Sequence, residues 1–221
     1  MNKIAYIILL IVITLFSCGK NETEEPIDMG SNYFPVDVGI YSIYKVDSIV
    51  WDDFNSTIDT FSFITKLIID DEFLDNAGRK ANWWKKYVKN DSTEYTFISN
   101  YTITKTSQRL ETVIENIRSI KLIFPFSAGS TWNSNALNSE EEKEAICTDF
   151  DYKTSILNKT YEKCASIQYF DEVNLIQEFV YEEIFARNIG MIYRKQIHKE
   201  LKTSGWRGYF VEYKLLENGK N

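Results

Sequence analysis

Thr60-Phe61-Ser62-Phe63-Ile64-Thr65-Lys66-Leu67-Ile68-Ile69 sets aromatic and β-branched residues among small polar ones, between Asp59 and Asp70-Asp71. Successive side chains of a strand leave on opposite faces, so such a run reads as a β-strand with one face buried. Upstream, Ile40-Tyr41-Ser42-Ile43-Tyr44-Lys45-Val46-Asp47-Ser48-Ile49-Val50-Trp51 shows partial period two of the same kind. Downstream, residues 82–89, 94–104, 112–124, 145–152, 161–170, 191–198 and 208–216 are further strand candidates. Turn formers such as Asn76-Ala77-Gly78, Asn90-Asp91-Ser92, Asn158-Lys159 and Thr203-Ser204-Gly205 lie between them and invite antiparallel pairing through short connections.

Two stretches admit a helix. Ser139-Glu140-Glu141-Glu142-Lys143-Glu144 has a possible N-cap and an acidic first turn but no apolar stripe to bury, so it reads as a loop or the approach to a strand. Residues 175–186 carry apolar side chains at both helical and strand spacing, and we read them as a strand. The expected fold is therefore all-β: a single domain over residues 33–221, a strongly curved antiparallel sheet or incomplete, lipocalin-like barrel of about nine to eleven strands. An α+β fold with one helix near residues 175–186 is the alternative. With 14 Tyr, 14 Phe and 5 Trp the chain is 15% aromatic, which suits a sheet whose interior needs rings to fill it.

Phe-Pro-x-x-x-Gly occurs twice, at residues 34–39 and 124–129, and uses two of the three prolines. Proline lacks the amide a ladder needs, and glycine accepts backbone angles that other residues avoid, so each copy reads as the lead-in to a strand. Their aromatic neighbours are expected to form a lid over one end of the core.

At the N-terminus, Met1-Asn2-Lys3 precedes the apolar segment Ile4 to Phe16, and Leu15-Phe16-Ser17-Cys18 closes it. Thirteen residues are too few to span a bilayer, which takes about 20, but they suit a secretory signal over residues 1–17. Leu-x-Ser-Cys resembles the lipobox of bacterial lipoproteins, which implies cleavage before Cys18 and acylation of that thiol. An ordinary cleaved signal and an uncleaved anchor are the alternatives. Residues 18–32 are polar and acidic and read as a lipidated flexible tether, spanning roughly 20 Å. Acidic residues just after the cysteine also resemble an export signal to the outer face of the outer membrane, and we favour the cell surface over the periplasmic face.

Tyr33-Phe34-Pro35-x-x-x-Gly39-x-Tyr41-x-x-Tyr44, following such a signal, resembles the start of a group of uncharacterised Gram-negative lipoproteins. Leu122-x-Phe124-Pro125-x-x-x-Gly129-x-x-Trp132 and residues 185–193 look like the group's central and C-terminal signatures, whereas Ser42 stands where an aromatic is more usual. The resemblance implies a mainly β domain on the cell envelope and carries over no catalytic residue.

The formal charge of −7 becomes −8 once residues 1–17, with Lys3, are removed. Basic runs such as Lys85-Lys86 and Arg194-Lys195 are only two residues long, so nucleic acid is not an expected partner. Cys147 and Cys164 are the remaining cysteine pair, either a disulfide stabilising by roughly 3 kcal/mol or two separately buried thiols. Neither a cofactor, a metal site nor a catalytic set is expected: His198 is the sole histidine, and no phosphate loop or nucleophile elbow occurs. Acidic pairs such as Asp52-Asp53, Asp70-Asp71 and Glu182-Glu183 read as solvated turns, and on a strand Glu182 and Glu183 would face opposite ways.

Trp83-Trp84 are the candidate ligand-contact aromatics, because a strand would bury one indole and present the other, and a presented indole stacks on sugar. Three function classes follow. The first is a non-enzymatic, membrane-anchored envelope lipoprotein, held by lipid on Cys18, that binds a small hydrophobic molecule, a glycan or an envelope protein. The second is a surface polysaccharide hydrolase using paired carboxylates. The third is a structural subunit of a surface assembly. The shape of the largest cavity is the feature that separates them.

Overall fold

The computed structural model describes residues 29–89 and 93–221. The signal segment, Cys18 and the turn at residues 90–92 lie outside the described residues, as does the tether up to residue 28. Twelve strands form one sheet: β1 Ile40–Asp52, β2 Thr57–Leu74, β3 Lys80–Lys89, β4 Thr96–Lys105, β5 Arg109–Ile114, β6 Ile117–Ile123, β7 Thr131–Asn133, β8 Glu144–Ile156, β9 Lys159–Val173, β10 Gln177–Ala186, β11 Gly190–Lys202 and β12 Gly205–Lys220. Apart from a 3-10 turn at Ser31–Tyr33, there is no helix among the described residues. Residues 177–186 are strand β10, as the alternation indicated.

The order is β6-β5-β4-β3-β2-β1-β12-β11-β10-β9-β8-β7, antiparallel throughout. The chain walks out to β6, crosses to the far edge at β7, and walks back until β12 lies beside β1. The two edges then meet. Ile120 N–H donates to the Ser134 carbonyl at 2.9 Å, and Trp132 Nε1–H donates to the Ile120 carbonyl at 3.1 Å. These bonds blunt the exposed edges that an open sheet would leave, and the result is a nearly closed barrel.

Residues 112–124, read as one strand, are in fact a hairpin. Glu115 and Asn116 both take positive φ, 52° and 65°, and turn the chain between β5 and β6. Asparagine tolerates this conformation, and two consecutive left-handed residues match the twist of the flanking strands.

Both Phe-Pro-x-x-x-Gly copies lead into strands, with Gly39 at φ +90° immediately before β1 and Gly129 at φ +85° one residue short of β7. Phe34, Phe124, Phe126 and Tyr33 are buried and close one end of the barrel. Tyr33 packs on Phe126 and Phe150 at ring separations of 5.4 and 5.5 Å. Lys105 Nζ reaches across to donate to the carbonyls of Ser31 and Phe34, at 2.7 and 2.9 Å, and Asn188 N–H bonds the Asn32 carbonyl at 2.7 Å. Residues 30–32, read as tether, therefore belong to this plug; a Cβ on Gly30 would stand 2.6 Å from the Phe126 ring.

Cys147 and Cys164 are free and buried. No bridge joins them because Cys147 faces Ile167 in register while Cys164 faces Tyr152. Three residues of β9 separate the two positions, roughly 10 Å at the strand rise, whereas a disulfide needs its α-carbons within about 7 Å. Burial pushes both thiols up to about 11, so each behaves as a small apolar side chain.

Candidate functional site

Above the aromatic plug the interior turns polar. Glu183 on β10 is fully buried, and Lys121 on β6 and Arg194 on β11 converge on it. Lys121 Nζ lies 2.8 Å from Glu183 Oε1, and Arg194 donates to the same oxygen from Nε and Nη2 at 2.7 Å each. Tyr181 O–H donates to Oε1 at 2.7 Å, while Tyr169 Oη stands 3.0 Å from both Oε2 and the Lys121 carbonyl oxygen. Lys121 also donates to Tyr181 Oη and sits 4.6 and 4.7 Å from the Tyr169 and Tyr181 ring centres, within cation–π range.

Irregularities in pairing supply two of these five side chains. Leu110 pairs with Leu122 and Glu111 with Ile120, which leaves Lys121 as the extra residue of a β-bulge. Likewise Tyr181 pairs with Phe170 and Glu182 with Gln168, leaving Tyr169 extra on β9. A bulge re-aims a side chain away from strict alternation. Here it turns a lysine flanked by apolar residues, and a tyrosine, onto one carboxylate.

The electrostatics follow from burial against pairing. Burial alone would raise the Glu183 carboxyl, but Lys121 and Arg194 beside it hold it down to about 2. Burial pulls the Lys121 ammonium down to about 8, with Arg194 adding to the effect and Glu183 opposing it. Tyr169 and Tyr181 are raised well above their usual range by burial, with Glu183 adding its charge. Two cations share one carboxylate, so the group holds one positive charge in excess. A carboxyl kept ionised to this depth cannot act as a general acid near neutral pH.

This layer floors an open cavity of about 410 Å³ at the barrel end opposite the plug. Its walls combine Ile114, Ile117 and Phe170 with Ser119, Asn135 and Gln196. The volume falls within the range of small-molecule sites, which are concave and mix apolar walls with a few placed polar groups. Hairpin tips with exposed apolar residues, Phe54, Leu175, Ile176 and Leu201, stand at the same end.

The residues singled out in the sequence lie elsewhere or at the margin. His198 is exposed on the cavity's rim, stacked between Phe179 at 4.3 Å and Tyr209 at 5.9 Å. Trp84 is a core residue packed edge-on against Phe34 and Tyr101. Trp83 does present itself on the outer wall, stacked on Phe73 at 4.6 Å. Glu182 and Glu183 part to opposite faces as alternation requires, but Glu183 is buried, where a solvated turn had been expected. Among the described residues no three His, Cys, Asp or Glu side chains gather as metal ligands. Lys121 was missed and Glu183 was read as solvated because each needs a partner more than 60 positions away; the only local sign is a charged residue inside an apolar strand.

No family model matches this chain, and no curated relative does. A solved structure of a candidate lipoprotein from Parabacteroides distasonis is similar at 12% identity, covering 83% of this chain and 98% of that one, with a TM-score of 0.40. A superposition that loose assigns neither fold nor function, and the reading rests on the geometry above.

Proposed function

We propose that this chain is a lipid-anchored cell-envelope protein whose barrel holds a small amphipathic molecule bearing an acidic group. The observation that carries the ligand reading is the cavity of about 410 Å³ floored by a polar layer with a surplus positive charge. The acidic group would meet Lys121 and the two tyrosines, and the apolar remainder would lie against Ile114, Ile117 and Phe170. Around the cavity Lys121 and Lys143 stand with Glu115 and Glu140, so the cationic surplus is confined to the floor, where Lys121 offers an acidic group a local partner rather than a net positive mouth.

The anchor reading rests on Leu15-Phe16-Ser17-Cys18. It suits the fold, since β1 starts beside the plug and runs about 13 residues toward the mouth. A tether attached at the plug would hold the cavity facing away from the membrane.

The dye 1-anilinonaphthalene-8-sulfonate, an amphipathic anion, should bind at one saturable site on the folded protein, and Ser119→Trp, which fills the mouth, should abolish that binding. Absence of a saturable site, or unchanged binding in the Trp variant, overturns the ligand reading. Separately, cells fed labelled palmitate should label the wild-type chain and leave Cys18→Ala unlabelled; label in the variant sinks the anchor.

A further inference from the structure

A second charged assembly lies on the outer wall, near the plug. Glu111 on β5 has no exposed surface, yet three arginines cover it: Arg79 from the β2–β3 connection, Arg109 on β5 and Arg118 on β6. Their contacts to its two oxygens run from 2.6 to 3.1 Å. Asp75 takes up a further share of Arg79, at 2.8 and 3.0 Å. A single carboxylate is neutralised by one guanidinium, so three exceed what its burial requires. Even with Asp75 counted, one positive charge is left over on a wall of an acidic protein.

Arg109 and Arg118 each spend one donor on Glu111, from Nε and Nη1 respectively. A guanidinium has five donors, and both side chains are about a third exposed, so most of their capacity faces water. Glu111 thereby orients two half-used forks, the geometry that matches a carboxylate bidentately.

Arg118, together with Arg79, borders a groove of about 560 Å³, and Arg109 reaches the same Glu111 carboxylate from beyond its lining. Trp83 pairs in register with Thr102, Thr102 with Val113, and Val113 with Arg118, so the four form one row on one face across four strands. The row runs roughly 14 Å at the usual strand spacing, from an indole at one end to a guanidinium at the other. Phe73 backs the indole at an interplanar angle of 22°, which fixes the plane of the ring.

We propose that this groove binds a carboxylate-bearing sugar, with the ring stacked on Trp83 and the acid held by Arg118. An indole face takes the apolar face of a sugar ring, and the Thr102 hydroxyl offers a partner for its hydroxyls. The occupant is a short acidic oligosaccharide because the row supplies stacking and anion recognition at separate points along one line. A lone phosphate would use the second and not the first.

The test is titration of the whole chain with trigalacturonate, followed by tryptophan fluorescence and calorimetry, with galactotriose and glycerol phosphate as comparison ligands. Trigalacturonate should bind and perturb an indole, galactotriose should bind at least about tenfold more weakly, and Trp83→Ala and Arg118→Gln should each weaken binding by about tenfold or more. Val113→Phe obstructs the middle of the row without touching the Glu111 contacts and should also abolish binding; it keeps the test meaningful if Arg118→Gln fails to fold. No binding of trigalacturonate, equal binding of galactotriose, equal binding of glycerol phosphate, or retention by Val113→Phe each overturns the proposal. The last ligand would point instead to a phosphate site such as a lipid headgroup. The anionic dye in the mouth is unaffected by Val113→Phe, so failure of this groove is distinguishable from failure of the interior site.

Discussion

Glu183 and Glu111 are both sealed from solvent and both ringed by cations, yet they sit in opposite settings. The partners of Glu183 are themselves buried, Lys121 at 8% side-chain exposure and Arg194 at 14%. Those of Glu111 stand at 31 to 33%, a third in water. The comparison teaches that burial of the partner, more than burial of the carboxylate, decides what such a cluster does. Inside, the charges have little water to fall back on and must satisfy one another, so they rigidify the floor of a cavity. Outside, the carboxylate merely positions guanidiniums that keep their remaining donors for something else.

The sharpest way to break this contrast is Glu183→Gln. It strands Lys121 and Arg194 as buried cations without a carboxylate, and should cost about 3–5 kcal/mol of stability in urea denaturation. The same variant should remove an acid limb. Glu183 stays ionised in the fold to about pH 2, whereas the unfolded group titrates near 4.5. Between those values the unfolded chain binds a proton that the folded chain refuses, so wild-type stability falls as pH drops through this window, by about 3 kcal/mol in all. Acid curves of wild type and variant that run parallel would show that Glu183 is not held as described.

Glu111→Gln should do less, about 1–2 kcal/mol, because its arginines can turn to water. Its loss should also shrink as sodium chloride is raised toward about 1 M, where screening acts over a few ångströms. The Glu183→Gln loss should stay nearly constant over the same range. Equal salt dependence for the two variants would erase the distinction between the inner and outer clusters.

Much of the fold was legible because strand alternation is local. The runs around Tyr44, Phe63, Tyr169 and Ile192 all lie in strands of the barrel. The β5–β6 hairpin escaped because Glu115-Asn116 is a weak turn signal beside Asn-Gly or Asp-Gly, although both residues adopt the left-handed conformation such turns need. β7, at three residues, shows no period of its own and was legible only as the strand that the second Phe-Pro-x-x-x-Gly copy leads into. The Phe-Pro-x-x-x-Gly repeats were legible as strand lead-ins and as an aromatic lid. That they seal residues 30–33 into the barrel's end depends on contacts with Lys105 and Asn188, far along the chain.

The candidate site was almost illegible for a related reason. Lys121 lies in Ile120-Lys121-Leu122, where alternation assigns it to the face opposite its neighbours, and only the bulge reverses this. Trp83 was legible as a presented indole because adjacent residues on a strand must part, but its neighbours in the groove, Thr102, Val113 and Arg118, come from three other strands.

By itself, then, the sequence determined an all-β chain with aromatic-rich strands, an acidic surface and an N-terminal box suited to acylation, because each of these depends on neighbours in the chain or on composition. Only the tertiary structure decided that the edges meet to form a nearly closed barrel. It alone gathered Lys121, Tyr169, Tyr181, Glu183 and Arg194 at the floor of a mouth, and placed three arginines over Glu111. Register and bulges settle which side chains meet, and both are properties of paired strands rather than of any one strand.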